Sequence, residues 1–202
     1  MDLILATGNS HKRDEFQAIL PDYRILTPHD LGTSFNCEET GESFCENSLI
    51  KAAFLHTHAG GRPVIADDSG LCVRALEGAP GVRSARYGEE EGKSLSSKEK
   101  YELLLKNLKG ITDREAAFVC SLVLYINEYR YFIFQESCRG LIAEGPMGSG
   151  GFGYDPVFLI PETGKTMAEL SEEEKNRISH RGRAGAALRN FLHSHGAELG
   201  VV

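Results

Sequence analysis

Apolar positions follow two rhythms that alternate from one end of the chain to the other. Leu3-Ile4-Leu5-Ala6 is a short continuous apolar run and predicts a strand. Phe16, Ile19 and Leu20 then fall at i, i+3 and i+4, which predicts a helix over 12–20. Ser43-x-x-Glu46 has capping-box form, in which each side chain satisfies the other residue's backbone N–H. It predicts a helix to about Ala59 with Cys45, Leu49, Ala52 and Ala53 on one face. Val64-Ile65-Ala66 reads as a short buried strand, closed by the turn signal Ser69-Gly70. Ser96-x-x-Glu99 opens another helix, with Tyr101, Leu104, Leu105 and Leu108 on one stripe. Two long β-rich runs, Ala116–Ile126 and Tyr131–Ala143, are separated only by Asn127, Glu128, Tyr129 and Arg130, the pattern of an antiparallel hairpin. Ser171-x-x-Glu174 begins a short helix, and Ala184, Ala187, Leu188, Phe191 and Leu192 give the last helix its core face.

This interleaving predicts an α/β fold, with a mixed central β-sheet flanked by helices. No repeat, low-complexity tract or Pro/Ser-rich linker divides residues 1–202, so a single domain is expected, bent into two lobes around a cleft. The first run of the hairpin is nearly all apolar and belongs at the sheet centre. The hairpin itself argues against a purely parallel, doubly wound sheet.

Composition narrows the function classes. Lys and Arg number 22 against 29 Asp and Glu, a net charge of −7, which argues against a general nucleic-acid-binding face. A small anionic substrate remains compatible if positive charge is gathered locally. The five cysteines, Cys37, Cys45, Cys72, Cys120 and Cys138, include no C-x-x-C pair. Neither a disulfide framework nor a structural zinc site is indicated, and a reducing compartment is expected. The chain begins directly with a strand pattern, and its longest apolar stretch, Ala116 to Ile126, is too short to span a bilayer. The expectation is a cytoplasmic protein without a membrane partner.

Several segments carry candidate chemistry, each beside a plainer reading. Asp67-Asp68-Ser69-Gly70 places two carboxylates at the predicted strand end, where Mg²⁺ would use one or two and take the rest of its shell from water and phosphates. The plainer reading is a solvated turn. Thr7-Gly8-Asn9-Ser10-His11-Lys12 joins a strand to a helix through a glycine turn. Such a turn presents backbone N–H groups to an anion, and Lys12 adds a full charge. It lacks P-loop spacing, and Thr, Asn and Ser there also serve as helix caps. Glu38-Glu39-Thr40-Gly41-Glu42 is either favourable charge before a helix or a second carboxylate source for the metal. Gly148 to Gly153 matches G-x-G-x-x-G, but Tyr154-Asp155-Pro156 follows where a helix would be required, so the dinucleotide reading fails. There Phe152 and Tyr154 offer either a stacking face for a base or core packing. Lys175 and Ser179-His180-Arg181 gather donors near the last helix, while Glu89-Glu90-Glu91 reads as a solvated run.

Taken in order, LATGNSHKRDEF (5–16), EETGESFCENSLIKA (38–52), ADDSGL (66–71), GAPGVRSARY (78–87), GGFGYDPVF (150–158) and EKNRISHRGRA (174–184) closely resemble one family. It is the inosine/xanthosine triphosphate pyrophosphatases, also called the Ham1-like or non-canonical purine NTP pyrophosphatase family. The resemblance implies an elongated two-lobed α/β fold, usually a homodimer. It implies Mg²⁺-dependent cleavage of ITP, dITP and XTP to the monophosphate and pyrophosphate, which clears deaminated purines from the nucleotide pool. It makes Asp68 the catalytic carboxylate, with Asp67 and Glu39 as metal-side supports and Glu38 as the adjacent candidate. Thr7, Gly8, Asn9, Ser10, His11 and Lys12 would hold the triphosphate, with Ser69 beside them. Phe152, Gly153, Tyr154 and Asp155 would form the base and sugar pocket, closed by Lys175, His180 and Arg181, with His180 either a base donor or a phosphate ligand. Selectivity has a physical basis: donors aimed at the C6 carbonyl of hypoxanthine or xanthine would be left unpaired against adenine. Two other readings carry different outcomes: pyrophosphate release from other modified nucleotides, and a nucleotide-binding sensor without turnover.

Overall fold

The computed structural model describes residues 1–90 and 93–201. Its elements are β1 (Asp2–Leu5), α1 (Ser10–Ile19), β2 (Arg24–Leu26), α2 (Phe44–His58), β3 (Val64–Val73), α3 (Ser97–Asn107), β4 (Glu115–Asn127), β5 (Arg130–Ile142), β6 (Phe158–Ile160), β7 (Lys165–Thr166), α4 (Glu172–Ile178) and α5 (His180–His195). Seven strands form one sheet in the order β2-β1-β3-β4-β5-β6-β7. β1 pairs parallel with β2 and β3, whereas β6 pairs antiparallel with β5 and β7. The sheet is therefore mixed and the fold α/β, as the interleaved pattern predicts.

Local chemistry explains the helix starts. Reciprocal capping boxes form at Ser43/Glu46, Ser96/Glu99 and Ser171/Glu174. α1 begins at Ser10, earlier than the apolar spacing indicates, because the Asn9 side chain accepts from the His11 and Lys12 N–H groups. The hairpin turn is also tighter than predicted, since only Glu128 and Tyr129 lie between β4 and β5.

The largest departure concerns β3. The strand does not close at Ser69-Gly70 but runs on to Val73, so Asp67 and Asp68 lie mid-strand. Ser-Gly is a local turn preference, and strand pairing with buried neighbours overrides it. A smaller correction concerns the acidic run. Glu89 is half-buried, pairs with Lys100 at 2.8 Å and accepts from the Leu95 N–H, whereas Glu90 is exposed as expected. Glu91 lies outside the described residues.

The chain divides into two compact units. The first comprises Met1–Asp68, Cys120–Glu136 and His180–Val202. Here the sheet is covered on both faces, which is why Leu3–Ala6 is apolar without alternation. On one face Leu3, Leu5, Ile25, Ile65, Leu122 and Leu124 pack with Phe16 of α1, with Leu20 just after it, and with Leu188 and Leu192 of α5. On the other, Ile4, Ala6, Leu26, Val64, Ala66 and Val123 pack with Ala52 and Leu55 of α2. Each such leucine removed from water contributes roughly 1.5–3 kcal/mol.

The second unit comprises Ser69–Val119 and Ser137–Ser179. Its core joins Leu71, Val73, Phe118, Ile142, Phe158 and Ile160 of the strands to Leu104 and Leu108. Tyr154 belongs to this core. Among the described residues, no helix is long and apolar enough to cross a membrane.

Candidate active site

Successive residues of a strand point to opposite faces of the sheet. In β3 this separates Asp67 from Asp68. Asp67 follows Ile65 toward α1 and α5, and Asp68 follows Ala66 toward α2.

On the α2 face, Asp68 Oδ1 accepts from Lys51 Nζ at 2.9 Å and Oδ2 accepts from Asn47 Nδ2 at 3.3 Å. Lys51 Nζ also lies 3.0 Å from Glu39 Oε1. Asn47 has a second task, since its Oδ1 accepts from the Gly41 N–H at 2.8 Å and holds the acidic loop against the helix. A Cβ at position 41 would stand 2.7 Å from that same oxygen, so the approach requires glycine. Two carboxylates face one ammonium here, leaving one net negative charge. Burial pushes the Asp68 carboxyl above its ordinary value, against the opposing pull of Lys51. Burial also disfavours the Lys51 ammonium, but Asp68, Asp67 and Glu39 together outweigh it and hold its pKa above the usual lysine value.

On the other face, charges balance. Asp67 Oδ1 lies 3.0 Å from Lys12 Nζ, and Oδ2 accepts from Arg181 Nη2 at 3.0 Å and Nε at 3.3 Å. Arg181 also pairs with Glu15, so two cations meet two carboxylates. Burial opposes the Asp67 charge, yet Lys12 and Arg181 hold its carboxyl far below the ordinary range. Cys120 Sγ lies 4.0 Å from Asp67 Oδ2. Burial beside that carboxylate pushes the thiol well up, which leaves it protonated and unreactive.

The turn entering α1 is organised by its own side chains. Thr7 is buried, and its Oγ1 accepts from the Asn9 N–H at 3.1 Å. Gly8, Asn9, Ser10 and His11 are exposed, while Lys12 turns back toward Asp67. His180 and Arg181 open α5 and are both buried. Glu38 is exposed, whereas Glu39 is half-buried against Lys51, so of the two neighbours only Glu39 joins Asp68.

In the second unit, the loop before β6 curls around one carboxylate. Asp155 is buried and accepts from the Phe152 N–H and from Lys175 Nζ, each at 2.8 Å. Lys175 Nζ lies 5.0 Å from the centre of the half-buried Phe152 ring, a cation–π contact. Gly151 has φ +68°, and a Cβ there would come 2.1 Å from Asp155 Oδ2, so this turn needs glycine for its own closure. Tyr154 instead donates its hydroxyl to the Ser84 carbonyl at 2.9 Å, which is the core-packing alternative. Ser69 and Gly153 are half-buried in this unit.

Sequence reasoning missed four participants: Glu15, Asn47, Ser48 and Lys51. A signal existed for three of them. The fully buried stripe of α2 is Asn47, Ser48, Lys51, Ala52 and Leu55 rather than the half-buried Cys45, Leu49 and Ala53. Polar residues at core spacing, directly after an acidic loop, mark a helix end that faces something charged.

Among the described residues, no group of three or more His, Cys, Asp or Glu side chains is arranged to hold a metal. Glu39 and Asp68 nevertheless share one cation, and their excess negative charge fits an ion that uses two carboxylates and completes its shell with water and phosphate.

Comparison with known proteins bears on the chain as a whole. The chain is 50% identical over 192 residues to the dITP/XTP pyrophosphatase of Treponema denticola, covering 95% of this chain and 98% of that protein. It is 42% identical over 191 residues to the dITP/XTP pyrophosphatase of Staphylococcus aureus, covering 95% and 96%. The solved structure of a HAM1 protein from Coxiella burnetii superposes with a TM-score of 0.87 at 39% identity, covering 96% of this chain and 99% of that one. The Staphylococcus aureus Ham1 protein gives 0.84 at 41% identity, covering 96% and 100%. The model of the Ham1 family matches residues 3–191, and the chain belongs to that family.

Proposed function

We propose that this chain hydrolyses deaminated purine nucleoside triphosphates, dITP, XTP and ITP, to the monophosphate and pyrophosphate, clearing them from the nucleotide pool. The names of its relatives support the substrate class. The observation that carries the chemistry is the split of the aspartate pair: Asp67 is charge-balanced, while Asp68 and Glu39 outnumber Lys51.

Phosphoryl transfer depends mainly on positioning and charge neutralisation. Asp68 takes the proton of the attacking water, a role suited to a carboxyl whose pKa is raised by burial. Both its oxygens already accept one hydrogen bond, and each retains a lone pair for that water. Lys51 fixes the carboxylate and lends positive charge to the phosphate chain. Gly8, Asn9, Ser10 and His11 present the exposed start of α1 to the phosphates, with Thr7 ordering the turn and Lys12 adding charge. Asp67 sits on the opposite face with its charge already matched, so we assign it to anchoring Lys12 and Arg181 rather than to the metal. Glu39 and Asp68 would hold Mg²⁺, which supplies charge neutralisation on the phosphates. In the second unit the Phe152 ring, steadied by Lys175 and Asp155, is the base-recognition element. We further propose a homodimer in the cytoplasm, acting on small nucleotides rather than nucleic acid or membrane, in keeping with the net charge of −7.

The test is a turnover panel over dITP, XTP, ITP and the common nucleotides, with Mg²⁺ or with chelator, reading pyrophosphate and orthophosphate separately. Pyrophosphate release from the deaminated purines alone, abolished by chelator and by Asp68→Asn, is the expected result. Orthophosphate as first product, or tight binding without turnover, overturns it. Sedimentation of the purified chain tests the dimer.

A further inference from the structure

Ser48 lies fully buried on α2, one residue after Asn47 and three before Lys51. Its hydroxyl accepts from the Asp68 N–H at 2.7 Å and donates to the Ser121 carbonyl at 2.6 Å. One side chain of a helix thus bridges a backbone donor of β3 and a backbone acceptor of β4, which are neighbours in the sheet. Three consecutive contacts from a single turn and a half of α2 converge on Asp68. Asn47 and Lys51 grip its carboxylate, and Ser48 grips its backbone.

We propose that Ser48 is a positioning residue for catalysis, setting the height of Asp68 against Lys51 by tying the aspartate's main chain to the helix that carries the lysine. The inference rests on the reading of Asp68 as the proton-accepting carboxylate. Its physical basis is geometric. The two carboxylate contacts, at 2.9 and 3.3 Å, end on a side chain with rotatable bonds and cannot by themselves fix where the strand stands. The backbone contact can. Both hydroxyl bonds are buried, so removing the hydroxyl leaves one N–H and one C=O without their partner, and the strand must shift to find others. A displacement of about 1 Å in a reacting group costs on the order of 100-fold in rate. A side chain that only filled space would have no such consequence.

The experiment compares Ser48→Ala, Ser48→Cys and Ser48→Thr with the parent enzyme, using dITP and Mg²⁺. Ser48→Ala is expected to lower kcat between about 10- and 100-fold with KM changed less than about threefold. Ser48→Cys, which preserves the packing but hydrogen-bonds weakly, is expected to fall between the parent and Ser48→Ala even if the alanine variant folds poorly. Ser48→Thr, which retains the hydroxyl, is expected to recover most of kcat. A crystal structure of Ser48→Ala or Ser48→Cys should show the Asp68 carboxylate drawn away from Lys51. A lowered Tm with unchanged kcat in Ser48→Ala and Ser48→Cys overturns the proposal, as does failure of threonine to restore kcat where alanine has lost it. Asp68→Asn in the same assay separates the two levels. If Asp68→Asn is inactive while the serine variants keep kcat, only the positioning role fails. If Asp68→Asn turns over normally, the reading of Asp68 fails first.

Discussion

Asp67 and Asp68 are consecutive in the chain, yet their carboxylates leave the sheet on opposite faces and answer to different partners: Arg181 and Lys12 for the first, Lys51 and Asn47 for the second. The adjacency that draws attention in the sequence is therefore not a shared site. One carboxylate meets two cations, and the other shares a single ammonium with Glu39.

The two should respond oppositely to the same isosteric change. Asp67 has a folded-state pKa far below the ordinary value of about 3.9, so its stabilisation is present at every pH above about 4 and is lost as pH falls through the depressed value. Asp67→Asn at pH 7 should cost about 3–5 kcal/mol, because it leaves Lys12 and Arg181 with Glu15 as the one remaining carboxylate of the cluster. Asp68 is raised, so its contribution is present below about pH 4 and is lost as pH rises through the raised value. Asp68→Asn should accordingly be as stable as the parent at pH 7, or more so, while being inactive. Urea denaturation of both variants at pH 7 checks the contrast.

Lys51→Gln should keep the fold and lose about 100- to 1,000-fold in kcat, the usual effect of removing one preorganised charge donor. Its KM for dITP should move much less. Steady-state kinetics decides this, and equal losses in kcat and affinity would count against the assigned role.

Tyr154 and Phe152 stand two residues apart and should separate cleanly. Tyr154→Phe loses the bond to the Ser84 carbonyl and should cost about 1 kcal/mol of stability with KM nearly unchanged. Phe152→Ala should leave stability nearly intact and raise KM roughly 10- to 100-fold, the value of one base–aromatic stack. Thermal melts beside dITP titrations read both effects.

Ser121 is as buried as Ser48, but its Oγ has no hydrogen-bond partner among the described residues. Its carbonyl, which receives the Ser48 hydroxyl, survives in Ser121→Ala. That variant should match or exceed the parent in stability with unchanged kcat, since it removes a hydroxyl that is buried without a partner. A melt and one rate measurement suffice.

How far the sequence could be read depended on the range of the interaction involved. Capping boxes at Ser43, Ser96 and Ser171 act over three residues, and each formed where its spacing placed it. The hairpin was likewise legible, being local along the chain. β3 was cut short because Ser69-Gly70 favours a turn locally, while the pairing that extends the strand to Val73 comes from residues distant in the chain. Glu15 was invisible for the same reason: its partner Arg181 lies 166 positions away. Lys51, Asn47 and Ser48 left a trace as polar residues on a core stripe. That trace is read correctly only once the charged group they face is known.

The pleat of β3 also restricts how this protein can change over time. A strand shifted by one residue exchanges its two faces. A single deletion among Val64, Ile65 and Ala66 would turn Asp67 toward the face of Lys51 and Asp68 toward that of Arg181, with both carboxylates still present. Length, more than identity, is thus the inherited constraint on that short segment. Substitutions such as Ile65→Val should be tolerated there, whereas insertions and deletions should be eliminated.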